Sequence, residues 1–283
     1  MAQRRQVLFL QGLPGRFFAR LGAALSERGC DVHRVNFNGG DQWDWPAPGA
    51  VNYRGAAHAW PSFLARLIRI RNITDLVLFG DCRPLHRMAR AIAAGLGVAV
   101  HVFEEGYLRP DWITLERGGV NGFSPFPADP DWCRRQARAL PRVEDGPALP
   151  SSLERRVRQT LAYYAAYALL AWSFPRYRTH RPWPALVEAV GWAARLGRRR
   201  TAARRTRADQ ARLSPGRYFL LPLQLDSDYQ LRAHSDFDGI TSTRTGGESR
   251  PPSATGVPLP LLWEPTGASS PLGRGRWVLR RPL

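Results

Sequence analysis

The densest group of residues able to do chemistry follows a predicted buried strand that ends near residue 103. Two adjacent carboxylates, Glu104 and Glu105, come directly after it, Gly106 permits a sharp turn, and Arg109 follows closely. A strand end fixes the backbone, so a carboxylate there can be aimed at a sugar hydroxyl or an oxocarbenium-like centre. The alternative is an ordinary acidic loop with a salt bridge to Arg109.

A second group lies in the turn between the preceding strand and its helix. It contains Gly80, Asp81, Arg83 and His86. A helix N-terminus attracts anions, and Arg83 and His86 add donors, so the turn predicts a site for a negatively charged substrate group. The alternative is structural: Asp81 would cap the helix that Pro84 opens, and His86 would be a hydrogen-bonded core histidine.

A third group follows a predicted strand over residues 217–223. It contains Gln224, Asp226, Ser227 and Asp228. Asp226 and Asp228 point the same way if the chain stays extended. The alternative is an ordinary turn, in which Asp and Ser side chains bond to the nearby backbone.

No cofactor site is predicted. The turn Gln11–Gly15 has neither the dinucleotide signature G-x-G-x-x-G nor the lysine of a P-loop. The chain has three cysteines, an odd number without paired spacing, which favours a reducing compartment and argues against a zinc site.

The elements that position these groups alternate between short apolar strands and amphipathic helices. This order predicts βαβ units, and hence an α/β fold with a Rossmann-like parallel sheet. Ligands of such sheets bind at the carboxyl ends of the strands. The loops at Gly12, Asn38, Gly80 and Glu104 all fall at that edge, so we expect them to border one cleft.

Four segments are predicted along the chain: a Rossmann-like domain over 1–145, an Arg-rich helical segment over 146–212, the start of a second α/β domain over 213–240, and an irregular, disordered tail over 241–283. Within the helical segment, Leu161–Trp172 is strongly apolar and Arg195–Arg207 holds seven arginines. This pattern favours either an interfacial helix that meets anionic headgroups or a core helix followed by a solvated linker.

The net charge of +18 calls for an anionic partner, whether nucleic acid, a lipid surface or a phosphorylated substrate. All 41 basic residues are arginine, which also fits a GC-rich gene and a merely solvated basic surface. No leader peptide or membrane-spanning stretch is predicted, which indicates a cytoplasmic chain.

Five stretches together resemble, in order, the motifs of the capsule polysaccharide biosynthesis and export proteins of the KpsS/LipB type. They are Gln11–Gly12, Val35–Asp41, Gly80–His86, Glu104–Glu116 and Leu223–Ser235. The resemblance implies a two-domain GT-B glycosyltransferase. Such enzymes transfer β-Kdo from CMP-Kdo to a phosphatidylglycerol-type lipid, which starts the linker of the capsule polysaccharide.

By this resemblance, Asp226 matches the family's catalytic aspartate, and Glu104 and Glu105 match its acidic pair. The other motif residues are expected to bind substrate: Gly12, Asn38, Gly80, Asp81, Arg83, His86, Arg109, Gln224 and Ser227. No metal is implied. The expected partners are CMP-Kdo, the lipid acceptor, other capsule biosynthesis or export proteins, and the inner face of the cytoplasmic membrane, where the chain would be peripheral.

The sequence departs from the family after Ser235. The family's second domain continues with further βα units and a His-Pro motif that holds the nucleotide phosphate, and no His-Pro pair follows Ser235 here. The tail has the composition of a GC-rich gene read out of frame, so we expect a frameshift and no measurable Kdo transfer by the chain as written. The alternative function is a non-enzymatic basic protein that binds membranes or nucleic acid, although no nucleic-acid-binding motif is present.

Overall fold

The structure is a computed structural model of the 283-residue chain. It describes residues 4–106, 112–141, 152–179, 185–213, 234, 261–265 and 275–279. The chain divides into two compact units, Met1–His180 and Arg181–Leu283.

A six-stranded sheet forms the centre of the first unit. Its strands are β1 (Gln6–Phe9), β2 (Asp31–Asn36), β3 (Val51–Asn52), β4 (Asp75–Phe79), β5 (Ala99–Glu105) and β6 (Ile113–Arg117). Their order is β3-β2-β1-β4-β5-β6, with β6 antiparallel to β5 and all other neighbours parallel. This confirms the predicted α/β fold. The sequence patterns do not predict β3, which has two residues, or β6, which is a partly exposed edge strand.

The chain reverses its direction across the sheet between β1 and β4. From β1 it proceeds outward through β2 and β3, and from β4 it proceeds the other way through β5. At such a switch point a crevice opens between the carboxyl ends of the two central strands, and ligands of open α/β sheets bind there. Residues 10–12 and 80–83 follow β1 and β4 and therefore border this crevice.

Helices cover both faces of the sheet. The described helices of the first unit are α1 (Phe17–Glu27), α2 (Gly39–Asp44), α3 (Trp60–Ile70), α4 (Pro84–Gly95), α5 (Pro130–Ala139) and α6 (Leu153–Leu169). Leu8 of β1 packs in the cluster that contains α3 and α4 residues, and Phe9 packs in the cluster that contains Phe18 of α1. The two clusters lie on opposite faces because successive strand side chains alternate.

The stretch Asn38–Asp41, predicted as a loop, opens helix α2 instead. Asn38 is its N-cap residue, and the Asn38 side-chain oxygen accepts a hydrogen bond from the backbone N–H of Asp41 at 3.0 Å. Two consecutive glycines follow this cap, and glycine disfavours helix on propensity alone, so the sequence pattern hides the helix.

Those glycines are required because α6 packs on α2 at backbone distance. A Cβ at Gly39 would stand 2.3 Å from the carbonyl oxygen of Ala166. A Cβ at Gly40 would stand 2.5 Å from the ring of Tyr163. The helical segment predicted over 146–212 is therefore divided: α6 belongs to the first unit, and α7 (Ala185–Gln210) belongs to the second.

The second unit also contains an antiparallel pair, β7 (Leu261–Pro265) and β8 (Gly275–Leu279). The sequence predicts an irregular tail over 241–283, but these two strands lie within it. Each strand is stabilised by pairing with the other, and the hydrophobic periodicity of a single segment does not reveal such a pairing. The predicted start of a second α/β domain at 213–240 lies outside the described residues except for Leu213 and His234.

Candidate functional site

Arg83 stands in the crevice between β1 and β4. It is the N-cap residue of α4 and directly follows the turn after β4. Its Nη1 atom donates to Gln11 Oε1 at 3.0 Å and to the carbonyl oxygen of Gly12 at 3.2 Å. The side chain thus spans from the end of β4 to the end of β1, and two of the predicted motifs do meet at one edge.

Glu104, near the end of β5, lies at the same edge. A Cβ at Gly80 would stand 3.4 Å from Glu104 Oε2 and 3.9 Å from Arg83 Nε. Gly80 also has a left-handed φ of +66°, which glycine adopts without strain. The prediction that Gly80 and Glu104 lie at one edge of the sheet is confirmed.

The environment of Glu104 makes its carboxylate more basic than usual. Burial raises the pKa of Glu104, and the nearby charges of Glu105 and Asp81 act in the same direction. A hydrogen bond from the backbone N–H of Glu105, at 3.0 Å, and the charge of Arg83 oppose this rise without cancelling it. A raised pKa makes the ionised carboxylate a stronger base for proton transfer.

Glu105 does not share this environment. Consecutive strand residues face opposite sides, and Glu105 Oε1 instead lies 3.9 Å from Nη2 of Arg156 on α6. The two neighbouring carboxylates therefore have different cationic neighbours: Arg83 for Glu104, and Arg156 of α6 for Glu105.

Gln11 links Arg83 to a buried polar network. Its Nε2 atom donates to Asp41 Oδ1 and to the Tyr163 hydroxyl, each at 3.1 Å. The Tyr163 hydroxyl donates to Asp41 Oδ1 at 3.1 Å and accepts from Asn38 Nδ2 at 2.9 Å. Asn38, predicted to bind substrate, thus holds α2 and α6 together.

Sequence reasoning missed Arg34, Asp41 and Tyr163 as members of this network. Arg34 lies within β2 and is 3% exposed; its Nη2 atom lies 3.8 Å from Asp41 Oδ1. Burial lowers the pKa of Arg34, and the charge of Asp41 opposes that effect. The available signal was an arginine directly before Val35 in a predicted strand, because a buried charge needs a partner.

Asp81 and His86 are buried, and each has a backbone group as a partner: His86 within the β4–α4 turn, and Asp81 in the segment after β6. Asp81 Oδ2 accepts from the N–H of Val120 at 2.9 Å, and His86 Nδ1 lies 2.8 Å from the carbonyl oxygen of Gly80. The N-cap residue of α4 is Arg83 rather than Asp81, and the Arg83 side chain makes no capping hydrogen bond. These contacts favour a structural role for both residues, and their contact with substrate stays a prediction.

Four predicted site residues, Arg109, Gln224, Asp226 and Ser227, lie outside the described residues. In the part of the chain that is described, no group of three His, Cys, Asp or Glu side chains is arranged to hold a metal ion. The helices described here include none that combines the length and the apolar character needed to span a bilayer.

Residues 74–246 match the family model of the capsule polysaccharide biosynthesis proteins. The chain is 35% identical over 244 residues to the capsule polysaccharide export protein KpsS of Escherichia coli, a match that covers 83% of this chain and 61% of that protein. It is 34% identical over 247 residues to the capsule polysaccharide modification protein LipB of Neisseria meningitidis serogroup A, covering 83% of this chain and 58% of that protein. The chain therefore spans about three fifths of the length of these curated relatives.

Among solved structures, the Bordetella bronchiseptica enzyme WbmH in complex with NAD+ aligns with a TM-score of 0.27 and 17% identity, covering 34% of this chain and 37% of that one. A likeness this small bears on neither the fold nor a cofactor.

The parallel sheet and the polar residues at its switch point define a Rossmann-like α/β protein. The family model covers more than half of the chain, and relatives above 30% identity cover most of it. The chain belongs to the capsule polysaccharide biosynthesis protein family, which confirms the resemblance in the sequence motifs.

Proposed function

We propose that this protein is a glycosyltransferase of capsule biosynthesis that transfers β-Kdo from CMP-Kdo to a phosphatidylglycerol-type lipid. Membership of the family supports a role in capsule synthesis. The observation that carries the proposal is the placement of Arg83 and Glu104 around Gly80 at the switch point, where a guanidinium lies near a carboxyl group of raised pKa.

The substrates of this reaction are anionic, which suits Arg83. Kdo carries a carboxylate next to its anomeric carbon, and both the nucleotide and the lipid acceptor carry a phosphate. A guanidinium binds either group through charge-assisted, paired hydrogen bonds.

Glu104 would transfer the proton. The acceptor hydroxyl must lose a proton as it attacks the oxocarbenium-like centre, and the ionised carboxylate of Glu104, made more basic by its raised pKa, would accept that proton. A retaining mechanism also needs a carboxylate nucleophile, a role that the family resemblance gives to Asp226. Glu105, through Arg156, would hold α6 at the edge of the site.

A lipid acceptor would place the protein at the inner face of the cytoplasmic membrane as a peripheral protein. One side of α6 and the turn after it supports this placement through an exposed apolar stripe, here called the outer stripe: Val157, Leu161, Leu169 and Trp172. Arg155, Arg156 and Arg158 are exposed on the same helix. Apolar side chains beside arginines suit an anionic membrane surface.

The test compares the 283-residue chain with a fusion that replaces the residues after 240 by the corresponding part of the Escherichia coli relative. Each is incubated with CMP-Kdo and phosphatidylglycerol liposomes, and released CMP and Kdo-labelled lipid are measured. We expect transfer by the fusion and none by the chain alone. Glu104→Gln in the fusion should lower the rate about 100-fold, and Asp226→Ala should abolish transfer.

Unchanged transfer by the Glu104→Gln fusion would remove Glu104 from the mechanism, and the same result with Asp226→Ala would remove Asp226. The second candidate function, a non-enzymatic basic membrane-binding protein, is favoured by the outer stripe alone. It predicts liposome binding by every form without release of CMP.

A further inference from the structure

The guanidinium of Arg83 has more hydrogen-bonding capacity than its neighbours use. Nη1 donates to Gln11 and Gly12, whereas Nε and Nη2 have no hydrogen-bond partner among the residues that the structure describes. The side chain is partly buried, and burial lowers the pKa of Arg83. The partner that suits a guanidinium best is a pair of oxygens from one carboxylate or phosphate.

Gln11 orients Arg83, and Asp41 orients Gln11. The amide nitrogen of Gln11 lies 3.1 and 3.2 Å from the two carboxylate oxygens of Asp41. Reversing the amide would set its oxygen against that carboxylate and its NH₂ group against the guanidinium, and both contacts would be repulsive. Oε1 of Gln11 must therefore face Arg83.

Tyr163 brings α6 into this arrangement. Its hydroxyl contacts both the Gln11 amide and the Asp41 carboxylate. The position of its ring is fixed by the close approach of α6 to Gly40. A chain of hydrogen bonds thus runs from α6 through Gln11 to the guanidinium of Arg83.

We propose that Arg83 is the receptor for an oxyanion of the substrate, a carboxylate or a phosphate, and that Gln11 and Tyr163 are positioning residues that hold its guanidinium ready. The inference rests on the proposed function only for the source of the oxyanion, which is the acid sugar, the nucleotide or the lipid headgroup. An oxyanion on Arg83 would lie beside Glu104, so that substrate and proton-transfer group meet in the same crevice.

Isothermal titration calorimetry on the full 283-residue chain tests this with Kdo, CMP, glycerophosphoglycerol and, as a neutral control, mannose. We expect at least one anionic probe to bind and mannose not to bind. Arg83→Met should weaken anion binding about 100-fold, and Arg83→Lys should weaken it less. Tyr163→Phe should weaken it about 10-fold, since the hydroxyl that bonds to Gln11, Asn38 and Asp41 is lost from the positioning chain.

Two matched variants control for charge and for the helix. Arg5→Met removes an arginine at the opposite end of the sheet, and Tyr167→Phe removes a hydroxyl elsewhere on α6; both should bind like the wild type. Thermal unfolding checks every variant, and Arg83→Lys carries the comparison if Arg83→Met does not fold. The anionic probe that binds identifies the source of the oxyanion.

The inference is overturned if no anion binds, or if the folded Arg83 variants bind as the wild type does. Equal losses in Tyr163→Phe and Tyr167→Phe would overturn the positioning role. The binding results test the inference independently of the transfer assay that tests the proposed function. Arg83-dependent anion binding supports the inference even if the fusion transfers no Kdo, and transfer without such binding rejects the inference alone.

Discussion

The two ends of the parallel sheet carry similar polar side chains and use them differently. At the amino ends, Asp75 accepts hydrogen bonds from Arg5 Nε at 3.0 Å and from the Thr74 hydroxyl at 2.7 Å, and its Oδ1 atom lies 2.8 Å from His101 Nε2. Arg5 Nη2 also donates to Asp75. Both oxygens of the carboxylate are thus occupied by neighbours within the chain, which makes this edge a closed structural network.

At the carboxyl ends, the polar groups have hydrogen-bonding atoms that a ligand could use. Arg83 commits only Nη1 to partners in the described structure, and Glu104 accepts from a backbone N–H while its pKa is raised. The lesson is that charge by itself does not mark a site. The distinguishing features are a positioned cation, two of whose nitrogens have no partner among the described residues, and a carboxyl group whose pKa is raised by burial.

The largest expected effect comes from separating α6 from the carboxyl edge. Gly39→Ala forces a Cβ against the backbone of Ala166, so we expect a loss of about 3 kcal/mol in the free energy of unfolding, measured with urea. Gly95→Ala in α4 is the control, because nothing lies within 4 Å of its added Cβ, and it should be neutral or stabilising. Equal stability of the two variants would show that α6 does not depend on this contact.

A substitution at the amino edge should change the stability of the fold and leave ligand binding unchanged. Burial raises the pKa of Asp75, but hydrogen bonds from Thr74, His101 and Arg5 outweigh it, so the pKa is lowered overall. The carboxylate therefore stabilises the fold above its unfolded pKa, and this contribution is lost as pH falls through the folded value. We expect Asp75→Asn to lower the free energy of unfolding by about 2 kcal/mol at pH 7 and by little in strong acid.

Urea unfolding at both pH values checks the Asp75→Asn prediction. Asp131→Asn, which breaks an exposed ion pair with Arg134, is the matched control and should change stability by less than about 0.5 kcal/mol. A deficit in Asp75→Asn that persists unchanged in acid would contradict the linkage, and a change in anion binding would break the division between the two edges.

The outer stripe allows a smaller test, on membrane binding. Trp172→Ala should reduce binding to liposomes that contain anionic lipid about 10-fold, because a 75%-exposed ring of the outer stripe is removed. Ile70→Ala removes a 63%-exposed side chain at the end of α3 and should leave binding unchanged. Binding should also weaken as salt is raised. Equal binding to neutral and anionic liposomes would leave the outer stripe without a membrane role.

The smallest effect concerns Asp44, which accepts a hydrogen bond from the N–H of Gly15 at 2.7 Å. Burial raises the pKa of Asp44 to about 6, and the charge of Asp41 adds to the rise. A raised folded pKa means that stability falls as pH rises from the unfolded value through about 6. Asp44→Asn should therefore be more stable than the wild type at pH 7 by about 1 kcal/mol, after allowance for solvent screening, and not at pH 4. Parallel unfolding profiles of the two proteins from pH 4 to 7 would refute this.

The main features of the sheet could be predicted because β1 and β4 are buried on both faces and read as short apolar runs. The shared edge of Gly80 and Glu104 followed from the same reasoning, since parallel strands bring their carboxyl ends together. The separation of Glu104 from Glu105 is visible only once the residues are known to lie within a strand.

The part of the site that comes from α6 could not be predicted. Tyr163 and Asp41 are 122 residues apart in the chain. The hydrophobic periodicity of a single segment cannot predict a contact between residues so far apart. Gly39 and Gly40 looked like loop residues because their packing partner is distant in sequence. Long-range docking of this kind depends on surface shape, which periodicity does not encode.

The central claim is that the carboxyl edge, and not the amino edge, is the ligand site. A crystal structure of the chain grown with Kdo and CMP tests it most directly. We predict a carboxylate or phosphate paired with the Arg83 guanidinium and next to Glu104. A ligand bound at Arg5 and Asp75, or anywhere away from Arg83, would contradict the claim.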